Sequence, residues 1–185
     1  MTGTRAFHHA ARAIAYAAKG APEKARQEQA IFLEKAKLVP EEETFGNNTA
    51  RDILALAKRM TEGEILIRED KLEAGIAELR AAIKLEDALK YDEPPGWLIP
   101  IRHSLGATLM QRGRFAEAER VYREDLARLP GNGWSLYGLA ESLSLQDKEP
   151  REAKAIRASF DKVWARADTK ISSSCFCQPG KLARD

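Results

Sequence analysis

Apolar residues recur along this chain at intervals of three and four, which is the spacing of one face of an α-helix. The recurrence is interrupted by segments rich in Gly, Pro and polar residues, namely 19–20, 40–46, 91–96 and 130–133. The stretches between them predict eight helices in four consecutive pairs, at residues 5–38, 47–90, 98–129 and 133–167. From Asp168 onward the pattern ends, so residues 169–185 are predicted to form a flexible C-terminal tail. No segment convincingly predicts a strand.

Composition supports helices and excludes several classes of protein. The 185 residues include 30 alanines but only three valines, and alanine favours helices whereas β-branched residues favour strands. The net charge is +2 with both signs interspersed, which is too balanced for a dedicated nucleic-acid binder. No uncharged apolar run approaches the roughly 18 residues that a membrane span requires. The N-terminus also lacks the apolar core of a secretory signal, and we therefore predict a cytoplasmic protein.

A shift of the sequence by 34 residues superimposes equivalent positions of the third and fourth helix pairs. It aligns Leu105 with Leu139, Gly106 with Ala140, Leu109 with Leu143, Tyr122 with Ile156 and Leu126 with Phe160. The segment from Leu105 to Pro130 resembles the tetratricopeptide repeat (TPR), in which small residues let paired helices approach closely. The resemblance implies an all-α fold, a right-handed α-solenoid of about four TPR-like helix pairs in a domain spanning residues 1–168.

A second resemblance concerns a larger part of the chain. Residues 5–170 are similar to the C-terminal part of a group of larger bacterial TPR proteins of unassigned function, on the segments Phe45–Asp52, Leu85–Trp97 and Tyr122–Arg128. This implies a shortened chain that lacks upstream repeats. One alternative for the function follows, in which the alanine-rich N-terminal helix docks onto another TPR segment or onto a second copy in a homo-oligomer.

The TPR resemblance also implies a concave groove, lined by the first helix of each pair, that binds a protein or peptide partner. The groove face is predicted to be apolar and aromatic with two acidic groups, and to comprise Met60, Glu64, Ile67, His103, Met110, Gln111, Trp134, Tyr137 and Glu141. Such a face suits an apolar peptide that carries Lys or Arg. We therefore expect a non-catalytic adaptor or scaffold without a cofactor. The alternative is that these residues pack against neighbouring helices or a chain terminus.

The loop between the second and third pairs is the most distinctive one. Two prolines stiffen it, and carboxylates flank its aromatic residues, at Tyr91, Asp92, Glu93 and Trp97. These four residues could form a recognition lip at one end of the groove. A structural role is favoured, because buried aromatic side chains usually serve packing.

Chemistry-bearing motifs are confined to the C-terminal tail. Cys175 and Cys177 lie one residue apart and could together meet a soft metal such as Cu(I) or Zn(II). A zinc site needs about four ligands, however, and the chain has only His8, His9 and His103 to add. A direct disulfide, pairing between chains and two free thiols remain open. A metal- or redox-responsive adaptor is therefore the other alternative function. We do not expect an enzyme, because no phosphate loop, nucleophile elbow or paired zinc motif occurs.

Overall fold

The fold is all-α, as predicted. A computed structural model describes residues 2–147 and 150–177, and eight helices lie within these ranges. Their bounds are α1 Thr2–Ala18, α2 Pro22–Lys37, α3 Ala50–Arg68, α4 Leu72–Asp87, α5 Ile101–Gln111, α6 Phe115–Arg128, α7 Gly133–Leu145 and α8 Pro150–Trp164. The helices form four consecutive pairs joined by short turns. The chain forms two compact units, residues 1–101 and residues 102–185.

Unit 1 (residues 1–101) is built on an alanine face of α1. Ala6, Ala10, Ala13 and Ala17 are spaced by three and four residues and are all buried. Because alanine projects only a methyl group, α1 packs closely against both α2 and α3. The larger side chain of Phe32 on α2 fills the centre of this core and is fully buried.

The two helices of each pair are joined by the same kind of turn. Gly20, Asp70, Gly113 and Asp147 follow the first helix of the four pairs, and each has a positive φ between 52° and 70°. In the first three turns the next residue donates a backbone hydrogen bond to the carbonyl five residues earlier, at 2.9–3.0 Å. This is the Schellman ending of a helix, which glycine favours and aspartate tolerates.

A cluster of ion pairs links α2 to α3 in unit 1. Arg26 donates from Nε and Nη2 to the two carboxylate oxygens of Glu69 at 2.7 and 2.8 Å, and from Nη1 to Glu62 at 2.7 Å. The hydrogen bonds from Arg26 lower the pKa of Glu69 to about 2, against the opposing effect of partial burial. The two helices are therefore connected by charge as well as by apolar packing.

The loop after α2 contains a short antiparallel hairpin that the sequence pattern did not predict. Strand β1 is Thr44–Phe45 and strand β2 is Asn48–Thr49, with Phe45 opposite Asn48. Two-residue strands are too short to show alternation of apolar and polar positions. Thr49 also caps α3 by accepting a hydrogen bond from the backbone of Asp52 at 3.1 Å, as its side chain favours.

Helix α4 ends at Asp87, slightly before the predicted limit of its pair at Lys90. The backbone N–H of Lys90 donates to Asn48 Oδ1 at 2.7 Å, and its carbonyl accepts from Asn48 Nδ2 at 3.1 Å. Asn48 is itself buried. Its amide thus satisfies the backbone groups of Lys90 outside the helix, which ties the loop after α4 to the hairpin.

Unit 2 (residues 102–185) contains most of α5, together with α6, α7 and α8. Two of the pairs that the 34-residue shift superimposes lie in its core, because Leu105, Leu109, Leu139 and Leu143 are each at most 1% exposed. Tyr122 on α6 is the largest fully buried side chain among the described residues. Residues 165–177 follow α8 without forming a further helix.

Candidate functional site

The predicted groove residues of α3 are buried in the folded chain. Met60, Glu64 and Ile67 are 6%, 0% and 5% exposed. The carboxylate of Glu64 forms an ion pair with Arg68 one turn later on the same helix. These three side chains therefore offer a partner little surface, and the charge of Glu64 is already matched within the chain.

In unit 2, His103 belongs to a buried polar cluster that joins three helices. Its Nε2 lies 3.3 Å from Asp125 Oδ2 on α6, and the same oxygen accepts a 2.6 Å hydrogen bond from Ser135 Oγ on α7. All three side chains are at most 4% exposed. Because the serine hydroxyl points at the carboxylate and not at the imidazole, the geometry differs from that of a serine nucleophile activated by histidine. The cluster connects α5, α6 and α7.

Tyr122 lies in a notch between two glycines of neighbouring helices. A Cβ atom built on Gly106 of α5 would lie 2.3 Å from the Tyr122 ring, and one built on Gly138 of α7 would also lie 2.3 Å from it. The absence of both side chains lets the ring pass between α5 and α7. Burial raises the pKa of the Tyr122 phenol above its usual value, so the hydroxyl keeps its proton as a hydrogen-bond donor.

The Tyr122 hydroxyl meets the chain's own C-terminal residues. We call residues 172–177 the terminal segment. Within it, Ser174 Oγ lies 2.7 Å from Tyr122 Oη and 3.3 Å from the carbonyl oxygen of His103, to which it donates. Ser174 and Cys175 are 2% and 4% exposed. The terminal segment therefore packs against unit 2, whereas the sequence pattern predicted a flexible tail; residues 178–185 of that tail lie outside the described part of the chain.

Cys175 and Cys177 are joined directly in a disulfide. Ser104 Oγ on α5 lies 3.5 Å from Cys175 Sγ and 3.1 Å from Cys177 Sγ. The backbone N–H of Cys177 donates to Cys175 Sγ at 3.1 Å. Among residues 2–147 and 150–177, no group of three or more His, Cys, Asp or Glu side chains is arranged to hold a metal ion. Of the possibilities that the sequence left open, the structure shows the direct disulfide.

Aromatic side chains surround the terminal segment on the α7 side. Trp134 contacts Phe176 edge to face, with ring centroids 4.6 Å apart, and contacts Trp164 of α8 at 5.5 Å. Both contacts have the geometry that aromatic quadrupoles favour. The indole N–H of Trp164 also donates to the carbonyl of Thr169 at 2.7 Å, which turns the chain back after α8. Trp134, a predicted groove residue, thus contacts the terminal segment of the same chain.

The remaining predicted groove residues of unit 2 differ in their contacts and in their exposure. Tyr137 stacks edge to face on Phe160 of α8 and lies under the guanidinium of Arg157, which also forms an ion pair with Glu141. Partial burial and the nearby Glu141 raise the pKa of Tyr137, against the opposing effect of Arg157. Met110 is buried, whereas Gln111 is exposed at the end of α5. The arginine partner of Glu141 weakens our reason for expecting a cationic peptide.

The predicted lip residues lie in unit 1 and hold its loop in place. Asp92 accepts a hydrogen bond from the backbone of Asn47 at 2.9 Å, and the exposed Tyr91 donates to Glu93 at 2.7 Å. Trp97 is half-buried against the core cluster of unit 1, with its ring centroid 6.3 Å from that of Phe7. Trp97 therefore packs against the core of unit 1, which is the structural role that was the alternative to a recognition lip.

Several residues at the terminal segment were not predicted from the sequence. Nothing in the local sequence indicates that Ser104 lies beside the two sulfurs or that Ser174 meets the Tyr122 phenol. The role of Gly138 could have been predicted, because it is a glycine in the interior of a predicted helix. A glycine in a helix interior usually has a packing reason.

Comparison with known proteins does not assign the chain. No protein-family model matches it, and neither a curated protein nor a solved structure shows significant similarity to it. None of the helices in the described ranges has the length and apolar character to cross a bilayer. The function must therefore be argued from the geometry of unit 2.

Proposed function

We propose that the chain is a non-catalytic, TPR-like helical repeat protein, and that unit 2 binds a peptide segment of a partner protein on the surface formed by α5 and α7. Two features support TPR-like repeats. The four helix pairs share the positive-φ turn at the end of their first helix, and two of the pairs related by the 34-residue shift, Leu105 with Leu139 and Leu109 with Leu143, are buried leucines. Repeat proteins commonly use such surfaces for recognition.

The observation that carries the proposal is the terminal segment itself, which occupies this surface as a bound peptide would. Two small side chains, Ser174 and Cys175, enter the buried part of the surface, and Phe176 lies against Trp134. The surface supplies a carbonyl acceptor from His103 and a phenol from Tyr122. A partner segment with two small residues followed by an aromatic residue would satisfy the same groups.

The surface is matched to a neutral peptide. The groups that contact the terminal segment are hydroxyls, a carbonyl and an aromatic ring, and the nearby His103 and Asp125 are paired with each other. Burying a charge without a partner costs far more than burying a hydrogen-bonded polar group. We therefore expect neutral segments to bind in preference to the cationic peptides that the sequence suggested.

The direct test is to displace the terminal segment and supply it from outside. In the Ser174→Arg variant the buried hydroxyl becomes a long cation for which the site has no partner, so the chain's own segment should leave the surface. A fluorescent peptide copy of residues 169–177, oxidised to its disulfide, should then bind saturably in an anisotropy titration. Wild-type protein should bind the peptide far more weakly, because its own segment competes at an effective concentration of about millimolar.

Two control variants make this experiment specific. Ser172→Arg places the same cation at an exposed position of the terminal segment, and it should behave as wild type. Adding Trp134→Ala to the Ser174→Arg variant should weaken peptide binding by about five- to tenfold, since an aromatic pair contributes about 1 kcal/mol. Peptide binding that is equal in the Ser174→Arg and Ser172→Arg variants would contradict the proposed function.

The disulfide favours a second candidate function, the redox-responsive adaptor. The docking of a second copy through α1 gains no such support. The alanine face of that helix is buried against α2 and α3 of the same chain.

A further inference from the structure

We propose that the Cys175–Cys177 disulfide is a thiol–disulfide exchange site, which an external thiolate attacks at Cys177, and that its reduction loosens the terminal segment from unit 2. The first half concerns the chemistry of the two sulfurs and stands on its own. The second half rests on the proposed function, because it treats the terminal segment as the occupant of a peptide-binding surface.

Access to the two cysteines is unequal. Cys175 is 4% exposed and is held against α5, whereas Cys177 is only half-buried. A thiolate has to reach the sulfur that it attacks, so exchange rates depend on access as well as on thiol acidity. The geometry therefore points to Cys177 as the sulfur that is attacked and to Cys175 as the leaving group.

The surroundings of Cys175 suit a leaving thiolate. Its Sγ already accepts a hydrogen bond from the backbone N–H of Cys177 at 3.1 Å, and the Ser104 hydroxyl lies 3.5 Å away. Both groups can donate to sulfur, and hydrogen bonds to the charged form favour that form. A leaving thiol whose thiolate is stabilised leaves faster.

A thiol reductant, such as a protein dithiol or glutathione, supplies the two electrons that reduce the disulfide. A reductant thiolate forms a bond to Cys177 Sγ, the Cys175–Cys177 bond breaks, and Cys175 departs as a thiolate that takes up a proton from solvent. A second reductant thiolate then attacks the reductant sulfur of the mixed disulfide and releases Cys177. The chain gains two thiols, and the reductant becomes a disulfide.

Reduction should weaken the docking of the terminal segment for an entropic reason. The disulfide closes a loop of three residues and so limits the conformations that the segment can adopt when it leaves the surface. The chain-entropy relation for cross-links, applied to so short a loop, corresponds to about a tenfold effect on the docking equilibrium. A reduced segment would therefore compete less well with a partner peptide.

The position of attack can be measured on the full chain. Oxidised protein is treated briefly with glutathione, quenched with acid, digested and analysed by mass spectrometry. We expect the glutathione adduct on Cys177 in at least tenfold excess over Cys175. An adduct mainly on Cys175, equal amounts on both, or a chain that forms no intramolecular disulfide in air would overturn the exchange site.

The contribution of Ser104 is tested by comparing two buried serines. Ser104→Ala removes a hydroxyl that contacts both sulfurs and should slow reduction by glutathione by about tenfold. Ser142→Ala is the matched control, because its hydroxyl donates instead to the carbonyl of Leu139, and its rate should equal that of wild type. The difference should vanish in denaturing urea. A Ser104→Ala rate equal to that of Ser142→Ala in the folded protein would contradict the assignment.

The effect on docking is tested with a probe that cannot itself exchange. A fluorescent peptide of residues 169–177 with serine at both cysteine positions is titrated into wild-type protein with and without dithiothreitol. Reduction should raise the apparent affinity by about tenfold, and a chain carrying Cys175→Ser and Cys177→Ser should show the higher affinity in both conditions. Equal affinities for oxidised and reduced wild type would overturn the control of docking, whereas failure of the Ser174→Arg variant to bind peptide would refute the proposed function and leave the exchange result intact.

Discussion

The close packing of Tyr122 between Gly106 and Gly138 predicts that a larger side chain at Gly138 lowers the free energy of unfolding. In the Gly138→Ala variant the new methyl carbon would lie 2.3 Å from Tyr122 Cζ and 2.6 Å from both Cε atoms. Non-bonded carbon atoms prefer separations of about 3.5–4.0 Å. The ring cannot move away freely, because it is fully buried and lies so close to Gly106 that a Cβ built there would be only 2.3 Å from it.

The expected cost follows from two opposing effects. Alanine is a better helix former than glycine by about 1 kcal/mol, so an unobstructed substitution in α7 would stabilise the protein. Overpacking a rigid core costs about 1–3 kcal/mol, and the short approach to a fully buried ring places this site near the upper end. We therefore expect the Gly138→Ala variant to lose about 2 kcal/mol of unfolding free energy.

The assay is urea unfolding followed by circular dichroism and tryptophan fluorescence, with a double-mutant cycle to isolate the contact. Tyr122→Leu removes the ring atoms that the methyl group would meet. In that background Gly138→Ala should become neutral or stabilising by up to about 1 kcal/mol. A Gly138→Ala chain as stable as wild type, or an equal loss in both backgrounds, would refute the packing argument.

Three other substitutions test separate parts of the structure. Asp125→Ala should cost about 2–4 kcal/mol in urea unfolding, because it leaves a buried serine hydroxyl without its acceptor. Asp161→Ala, at an exposed position of α8, should cost under about 0.5 kcal/mol, and similar losses in the two variants would argue against the polar cluster. Because Arg26 depresses the pKa of Glu69 to about 2, the stabilisation is complete above pH 4.5 and is lost as the pH falls towards 2. Glu69→Gln should thus flatten the acid-unfolding curve in that window, and an unchanged curve would contradict the pairing. Asn132→Ala should lose about 1 kcal/mol, because Asn132 caps α7, and a thermal melt that matches wild type would count against the cap.

Much of the helical architecture could be predicted from the sequence because its signals are local. The apolar spacing predicted the helices, and Gly20, Asp70, Gly113 and Asp147 are of residue types that tolerate the positive φ observed at these turns. A left-handed turn residue is selected by its own backbone conformation, so its type is informative without knowledge of distant contacts. The right-handed solenoid stays a prediction.

The contents of the candidate site could be predicted only in part. Trp134 was predicted as a partner-binding residue, but its contacts with Phe176 and Trp164 depend on how the chain turns back after α8. The pairing of Glu141 with Arg157 likewise requires α8 to lie against α7. These contacts depend on tertiary geometry, which hydrophobic periodicity does not encode.

The sequence by itself determined that the chain is helical and where its apolar pattern is interrupted, because backbone preference and apolar spacing act over a few residues. Tertiary structure alone decided that Tyr122 passes between two glycines and meets Ser174, and that Ser104 lies beside Cys175 and Cys177. Such contacts join residues about 50–70 positions apart. They arise only when packed helices bring those residues together, since no local preference distinguishes a serine that will bind a distant sulfur from one that will face water.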